Sequence, residues 1–321
     1  LVAHVHELLV TLCQQQDNGG SIGVDVLLAR RLERRMHSGF AVEDDLVRRI
    51  VGNMLGKLAK DDQEKYAVFW KNFGAVMKEG PVEDYANRDA VLKLLRFAST
   101  KAGTPEENVS LADYVARMPE KQKHIYYLTA GNFETAVSSP YLETFRRKGV
   151  EVLLMTQRID EWMMQGMTEF EGHEFIPVTA SDLKLGELAD SEEEKKHEEV
   201  VRESSGLVER IKQALGDRVE GVRVSSRLVD SPSCLVADAD KRLTPQMRRM
   251  LEAAGQQVPE DKVTLEINPS HPLLKKAEAE KDQAGFEKWC ELMLDQAALA
   301  DQGTVKDPAR FVKLMNELLL K

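Results

Sequence analysis

The first strong pattern along the chain is helical and extends from Glu43 to Met77. Apolar residues recur there at three- and four-residue spacing, which places them on one face of a helix. The sequence EGP interrupts the pattern directly afterwards. Two shorter helices are predicted over Arg88–Ala98 and Ser110–Met118, the second with Ser110 as its N-cap. This part of the chain is therefore predicted to be a helical segment.

The period then changes, and short apolar runs replace the helical pattern. The runs His124–Ala130 and Val150–Met155 predict two strands. Between them, Ser139 and Pro140 supply an N-cap and a first helical residue for a helix over Tyr141–Lys148. A strand, a helix and a strand in this order form a βαβ unit, so the two strands are predicted to be parallel. The run HEFIPV adds a third strand.

A charge-dense segment, Lys184–Glu203, follows and predicts a solvated linker or an exposed helix. Beyond it lie an amphipathic helix over Gly206–Leu215, three strands in VEGVRVSSRL, SCLVADAD and KVTLEINP, and a helix that begins at Thr244. Two further helices end the chain. The elements together predict a multidomain α+β or α/β fold: a helical segment, a small αβα unit with parallel strands, and a mixed α/β domain that ends in two helices.

The two C-terminal helices carry wide apolar stripes and are joined by the short loop DQGTVKD. Their apolar faces are covered either by the rest of their own domain or by the same helix pair from a second chain. The second alternative gives a four-helix dimer bundle and is the one we predict. The predicted interface residues are Phe286, Trp289, Met293, Ala297, Phe311, Leu314, Met315 and Leu318.

The stretch RIDEWMMQGMTEF places tryptophan and methionine beside acidic residues. It allows three interpretations: a catalytic acid pair, core methionines, or an apolar surface that contacts another protein. Adjacent helical residues point about 100° apart, so Asp160 and Glu161 do not face one another across a substrate. We therefore predict a helix cap and a surface acid, with no catalytic residue, and core positions for Met164 and Met167.

The composition argues against several classes of function. A net charge of −10 disfavours nucleic-acid binding. The sequence contains no signal peptide and no apolar run of roughly 18 residues, so we expect no membrane partner and a cytoplasmic location. Three distant cysteines and the absence of CxxC and HExxH argue against disulfides and metal sites. The sequence GNMLGK lacks the spacing and the hydroxyl residue of a phosphate-binding loop.

Long, ordered blocks of the sequence carry a family resemblance. They include KLAKDDQEKYAVFWKNFG, KHIYYLTAG, SSPYLETFRRKGVEVLLM, VRVSSRLVDSPSCLVAD and LEINPSHPLLKKA. From about residue 42 to the last residue the chain resembles the heat-shock protein 90 chaperones, and most closely their bacterial branch. The resemblance implies a division into the helical part of a middle domain (42–118), its small αβα part (119–185), a charged linker (186–205) and a C-terminal dimerisation domain (206–321), with 1–41 unmatched.

The resemblance also implies a molecular chaperone that binds unfolded or partly folded client proteins, forms a homodimer and works with other chaperones. A purely structural homodimerisation module without client binding is the alternative. Methionine is flexible and polarisable, which suits a surface that binds varied partners. The client-binding residues that the resemblance implies are Trp162, Met163, Met247, Met250 and Leu251.

In full-length relatives, ATP and magnesium are bound by an N-terminal domain that this sequence does not match. We therefore expect no cofactor in this chain and no ATP hydrolysis by it alone, and the missing initial Met favours a fragment. Arg30 and Arg31 lie near the position of the family's arginine that contacts the γ-phosphate. Their flanking sequence DVLLARRL does not match, so that role is not transferred to them.

Overall fold

The computed structural model describes residues 41–181, 183, 188, 191–236, 255 and 263–320, with side chains left out at 41–50, 191 and 302. The helices are α1 (Ala41–Asp61), α2 (Gln63–Met77), α3 (Gly80–Glu83), α4 (Arg88–Leu92), α5 (Leu111–Ala116), α6 (Phe133–Val137), α7 (Glu143–Arg147), α8 (Arg158–Met163), α9 (Ser191–Glu203), α10 (Ser205–Leu215), α11 (Pro272–Ala279), α12 (Gln283–Gln302) and α13 (Pro308–Leu319). The strands are β1 (Arg96–Ser99), β2 (Val109–Ser110), β3 (Ile125–Thr129), β4 (Leu153–Met155), β5 (Glu169–Phe170), β6 (His173–Pro177), β7 (Gly221–Val224), β8 (Ser233–Val236) and β9 (Thr264–Ile267).

The described chain divides into two compact units. The first contains residues 41–96, 110–112 and 162–170, and the second contains 97–109, 113–161 and the described residues from 171 onward. Helices and strands of both parallel and antiparallel pairing are present, so the predicted α+β multidomain class is confirmed. The domain boundaries inferred from the family resemblance stay a prediction.

The first unit is built around α2, whose apolar face is buried as its periodicity predicts. Tyr66, Phe69 and Trp70 all lie in the core. The hydroxyl of Tyr66 donates a hydrogen bond to the backbone oxygen of Leu94 at 2.5 Å. The guanidinium carbon of Arg96 lies 4.5 Å from the centroid of the Tyr66 ring. Burial raises the pKa of Tyr66 to about 12, so this phenol remains a protonated donor at physiological pH.

The sheet of the second unit confirms the predicted βαβ unit. Its central strands follow the order β1-β4-β3-β6 within a six-stranded sheet. Strand β3 pairs in parallel with both β4 and β6, whereas β1 is antiparallel to β4. The hydroxyl of Ser139 accepts the N–H of Tyr141 at 3.4 Å at the start of the intervening helical turns. Gly149 ends them with a φ of +66°, a left-handed conformation that a residue with a Cβ rarely adopts.

The helix predicted over Arg88–Ala98 is wrong in its second half. Helix α4 ends at Leu92, and β1 begins at Arg96. Leu94, Leu95, Phe97 and Ala98 are all buried, which explains why an apolar run suggested continued helix. Strand pairing to β4 determines the conformation here, and tertiary packing of this kind often overrides local preference.

The C-terminal part contains a three-stranded sheet with the order β7-β9-β8. Strand β9 is parallel to β7 and antiparallel to β8, and all three strands coincide with predicted ones. Helices α10, α11 and α12 contribute Ile211, Leu274 and Phe286 to one core together with Leu265 of β9. The charged segment before this domain forms helix α9 over Ser191–Glu203, in agreement with the exposed-helix alternative.

Candidate functional surfaces

Helix α8 contains the acid pair of the RIDEWMM stretch and shows what one of these acids does. The N–H of Gln157 donates to Oδ2 of Asp160 at 2.8 Å, and Asp160 is buried. Asp160 is the third residue of the helix and reaches back to the residue that precedes it, as an acid does in a capping box. Its predicted capping role is confirmed. The side chain of Glu161 leaves the helix about 100° away from that of Asp160 and is partly exposed.

The two residues after this pair differ in exposure. Met163 has 0% of its surface exposed, which does not support its prediction as a client-contacting residue. Trp162 is only partly buried, and Met167 is buried as predicted, while Met164 is partly exposed rather than core. A six-residue helix has fewer than two turns, so the spacing of its apolar residues does not show which of two adjacent residues is buried.

The segment that begins at Trp162 is held by close backbone packing within the first unit. A Cβ on Gly166 would lie 2.8 Å from the backbone oxygen of Pro81, so only glycine allows the two backbone segments to come this close. Arg88 donates from Nη2 to the hydroxyl of Thr168 at 2.9 Å. These contacts hold the residues that follow the partly exposed Trp162. The other predicted client-binding residues, Met247, Met250 and Leu251, lie outside the described residues.

Capping residues determine where both C-terminal helices begin and where the first of them ends. Asp282 accepts the N–H of Gly285 at 2.8 Å at the start of α12, and Asp307 accepts the N–H of Arg310 at 3.0 Å at the start of α13. Gly303 ends α12 with a φ of +72°. The helix pair is therefore well determined by its local sequence.

Most residues predicted at the dimer interface instead lie in the core of their own chain. This burial contradicts their assignment to an exposed apolar stripe and supports the alternative that the domain covers them. The physical reason is that α12 packs against the three-stranded sheet and α13 packs against α12. The buried residues are Phe286, Trp289, Met293, Ala297, Leu314 and Leu318, whereas Phe311 and Met315 are partly exposed.

A second apolar strip remains on the outside of α13. Val312 is 49% exposed and Leu319 is 75% exposed. At about 100° per residue, these two side chains lie beside the partly exposed Phe311 and Met315 on the helix surface. We call these four residues the outer stripe. Leu299 of α12 is also 40% exposed. The apolar surface of this helix pair thus has a buried and an exposed part, and most residues predicted at the interface lie in the buried part.

Two ion pairs on the side of α13 opposite the outer stripe connect this helix to α12. Lys288 Nζ lies 2.7 Å from Glu317 Oε2, and Arg310 pairs with Glu291. The hydrogen bond between the first two raises the pKa of Lys288 and lowers the pKa of Glu317. Because these groups are solvent-exposed, they contribute orientation rather than much stability.

Two cysteines are buried, free thiols. Burial raises the pKa of Cys290 to about 12, and burial together with the nearby Glu266 carboxylate raises the pKa of Cys234 well above its ordinary value. A thiol with a raised pKa stays protonated and unreactive at mildly alkaline pH. The third cysteine, Cys13, lies outside the described residues.

We predict that iodoacetamide leaves Cys234 and Cys290 unmodified in the native protein at mildly alkaline pH. Both should be alkylated once denaturant exposes them, because the unfolded thiol titrates near its ordinary pKa. Peptide mass spectrometry after quenching measures each site. Alkylation of either cysteine at the same rate with and without denaturant would contradict their burial.

Two features are absent from the described part of the chain. Its helices include none with the length and apolar character that a membrane crossing requires. Its histidine, cysteine, aspartate and glutamate side chains form no group of three or more that could hold a metal ion.

Comparison with known proteins gives one consistent result. The family model described as Hsp90 protein matches residues 40–321. The chain is 50% identical over 280 residues to the Chaperone protein HtpG of Shewanella halifaxensis, which covers 87% of this chain and 44% of that protein. It is 48% identical over 293 residues to the protein of that name in Shewanella baltica, at 91% and 46% coverage. The chain thus spans less than half the length of these relatives and belongs to the Hsp90 family of chaperones.

Proposed function

We propose that this chain supplies the homodimerising and client-binding part of an Hsp90-family chaperone. The observation that carries the proposal is the outer stripe, an apolar surface on a helix whose opposite side is already buried. Exposed apolar patches of this kind mark interaction sites because they oppose solubility. Family membership supports a chaperone role, and the exposed stripe supports a contact with another polypeptide.

The occupant that we assign to the outer stripe is a second copy of the chain. The stripe continues directly into the core of α12 and α13, so a second copy would extend one apolar cluster across the interface. A two-fold dimer places the same patch on both partners, which an apolar strip without strong net charge can satisfy. Burying one large apolar side chain stabilises by roughly 1.5–3 kcal/mol. Several such side chains from two chains can offset the roughly 4–15 kcal/mol cost of association.

For client binding we propose Trp162 as an anchor, supported by its partial exposure on a rigidly packed segment. Met163 is not part of that surface because it is buried. The assignment of Met247, Met250 and Leu251 stays a prediction from the resemblance, as does the cytoplasmic location. We assign ATP and magnesium to full-length relatives, and Arg30 and Arg31 lie outside the described residues.

The client-binding proposal predicts opposite outcomes for two neighbouring substitutions. Trp162→Ala should lower affinity for an unfolded model protein by about tenfold or more, since loss of a tryptophan anchor costs roughly 2 kcal/mol. Met163→Ala should instead lower the free energy of unfolding by about 2–5 kcal/mol, as expected for a buried methionine. Fluorescence anisotropy with a labelled, reduced and alkylated model protein measures the first, and urea titration the second.

Met163→Ala is the control for indirect effects, and binding is compared where both variants remain folded. If Trp162→Ala binds the unfolded protein as tightly as the parent does, Trp162 is not an anchor. If no variant and no parent binds it, the chain is a structural dimer module, which is the alternative function.

A further inference from the structure

A fully buried arginine bridges the two sheets of the second unit. Arg227 is 2% exposed and lies between β7 and β8 of the three-stranded sheet. Its Nη1 donates to the backbone oxygen of Val178 at 2.6 Å, and its Nη2 to that of Ala180 at 2.7 Å. Both acceptors follow β6 of the six-stranded sheet. The side chain thus connects a loop of one sheet to the end of a strand in the other.

The same guanidinium is fixed from its own sheet by a buried carboxylate. Nε of Arg227 lies 2.9 Å from Oε2 of Glu266, a buried residue in the central strand β9. That carboxylate also accepts the hydroxyl of Ser225 at 2.7 Å and pairs with Arg223 at 2.7 Å. Each of the three guanidinium nitrogens donates to a protein acceptor, so these hydrogen bonds restrain the orientation of the Arg227 side chain.

A second contact holds the same loop a few residues further on. Glu143, the first residue of α7, directs Oε2 at three successive backbone N–H groups. The distances are 2.5 Å to Val229, 2.8 Å to Asp230 and 3.2 Å to Ser231. The hydroxyl of Ser231 donates to the other oxygen of the same carboxylate. A charged acceptor shared by three amides gives strong, directional hydrogen bonds.

The held loop leads directly into β8, which packs against helix α12. Strand β8 follows it, and the hydroxyl of Ser233 donates to the backbone oxygen of Met293 in α12 at 2.9 Å. Tyr141, just before α7, donates its hydroxyl to the backbone oxygen of Leu235 and contacts Asp301 Oδ1 at 2.9 Å. A continuous chain of contacts therefore extends from the six-stranded sheet through β8 to α12.

Buried ion pairs contribute little net stability because desolvation offsets their attraction, but they can specify one arrangement. Apolar contacts between the sheets, such as those of Leu228 and Val236 with their shared core, are not directional. We propose that Arg227 and Glu143 form a two-point latch that fixes the β7–β8 loop to the six-stranded sheet, so that the orientation of this sheet is transmitted to α12. The proposal goes beyond client binding and dimerisation and depends on neither.

Amide hydrogen exchange of the full chain tests the latch. Arg227→Met combined with Glu266→Leu removes both buried charges and should leave a folded protein, because no buried charge is left unpaired. Arg223, which also loses Glu266 as a partner, has a 44% exposed side chain that water can solvate. We expect exchange of the amides of 229–231 to rise by about tenfold or more, although Arg227 does not touch those amides. Glu143→Gln weakens the second contact of the latch, the one between the Glu143 carboxylate and the loop amides, and should also raise the exchange of these amides.

A triple variant that combines all three changes should exchange no faster than the faster parent variant, because two points of one latch are not additive. Arg117→Met combined with Glu151→Leu is the matched control, since Arg117 also pairs with a buried carboxylate in this unit, that of Glu151, at 2.8 Å. It should leave 229–231 protected. Parental exchange in the Arg227→Met/Glu266→Leu variant would overturn the proposal. So would a uniform rise along the whole chain, which would show lost stability rather than a released loop.

Discussion

Val312→Glu combined with Leu319→Glu is expected to convert the dimer into a monomer. Both side chains are largely exposed in the single chain, so two glutamates there cost little while the chain is alone. In the proposed dimer the same positions are buried, and an unpaired buried charge is heavily penalised. Light scattering on the eluting peak should give twice the 36.2 kDa chain mass for the parent and one chain mass for the variant.

Two single substitutions act as controls for this result. Lys313→Glu introduces the same glutamate, here as a charge reversal, at an exposed position of the same helix away from the outer stripe, and it should leave the proposed dimer intact. Leu318→Glu introduces a charge at a buried position, and it should reduce the folded fraction itself. A monomeric parent at tens of micromolar concentration would contradict the assignment of the outer stripe to a second copy.

Phe286→Ala is expected to lower the free energy of unfolding by about 3–5 kcal/mol, which is among the largest effects of any single substitution. The ring has 0% exposure, and the guanidinium carbon of Arg210 lies 3.6 Å from its centroid. Arg210 also donates to the backbone oxygen of Glu280 at 2.9 Å. Loss of the ring therefore leaves a cavity and removes a cation–π contact. Urea titration followed by circular dichroism measures the change.

Val312→Ala is the matched control for the core substitution, because it removes an apolar side chain at an exposed position. In the monomeric background of the double glutamate variant, Phe286→Ala should still be strongly destabilising, since its contacts lie within one chain. Equal stability of the parent and Phe286→Ala would mean that Phe286 faces a partner instead of the core.

Local sequence determines those parts of the fold that local rules control. The βαβ unit follows from two short apolar runs and a Ser-Pro helix start, and β3 and β4 are parallel as predicted. The ends of α12 and α13 follow from Asp282, Gly303 and Asp307. The error at Leu94–Ala98 arises where an apolar run is buried on all sides, because such a run has no period that separates helix from strand.

The functional surfaces were harder to predict. Periodicity identifies the apolar face of a helix, but it does not show whether the same chain or another protein covers that face. Phe286 and Leu319 belong to the same helix pair, yet one is core and the other is exposed. The latch gave no local signal at all. Arg227 and Glu266 are 39 residues apart, and Glu143 is 86 residues from Val229. Only the folded chain brings these polar residues together.

The most direct test of the chaperone assignment compares two forms of one model protein. The purified chain is titrated against a fluorescently labelled protein, once reduced and alkylated so that it stays unfolded, and once in its native, disulfide-bonded form. We predict a saturable rise in anisotropy with the unfolded form and none with the native form, because only the unfolded form offers extended apolar segments. Equal binding of both forms, or no binding of either at tens of micromolar chain, would contradict the account.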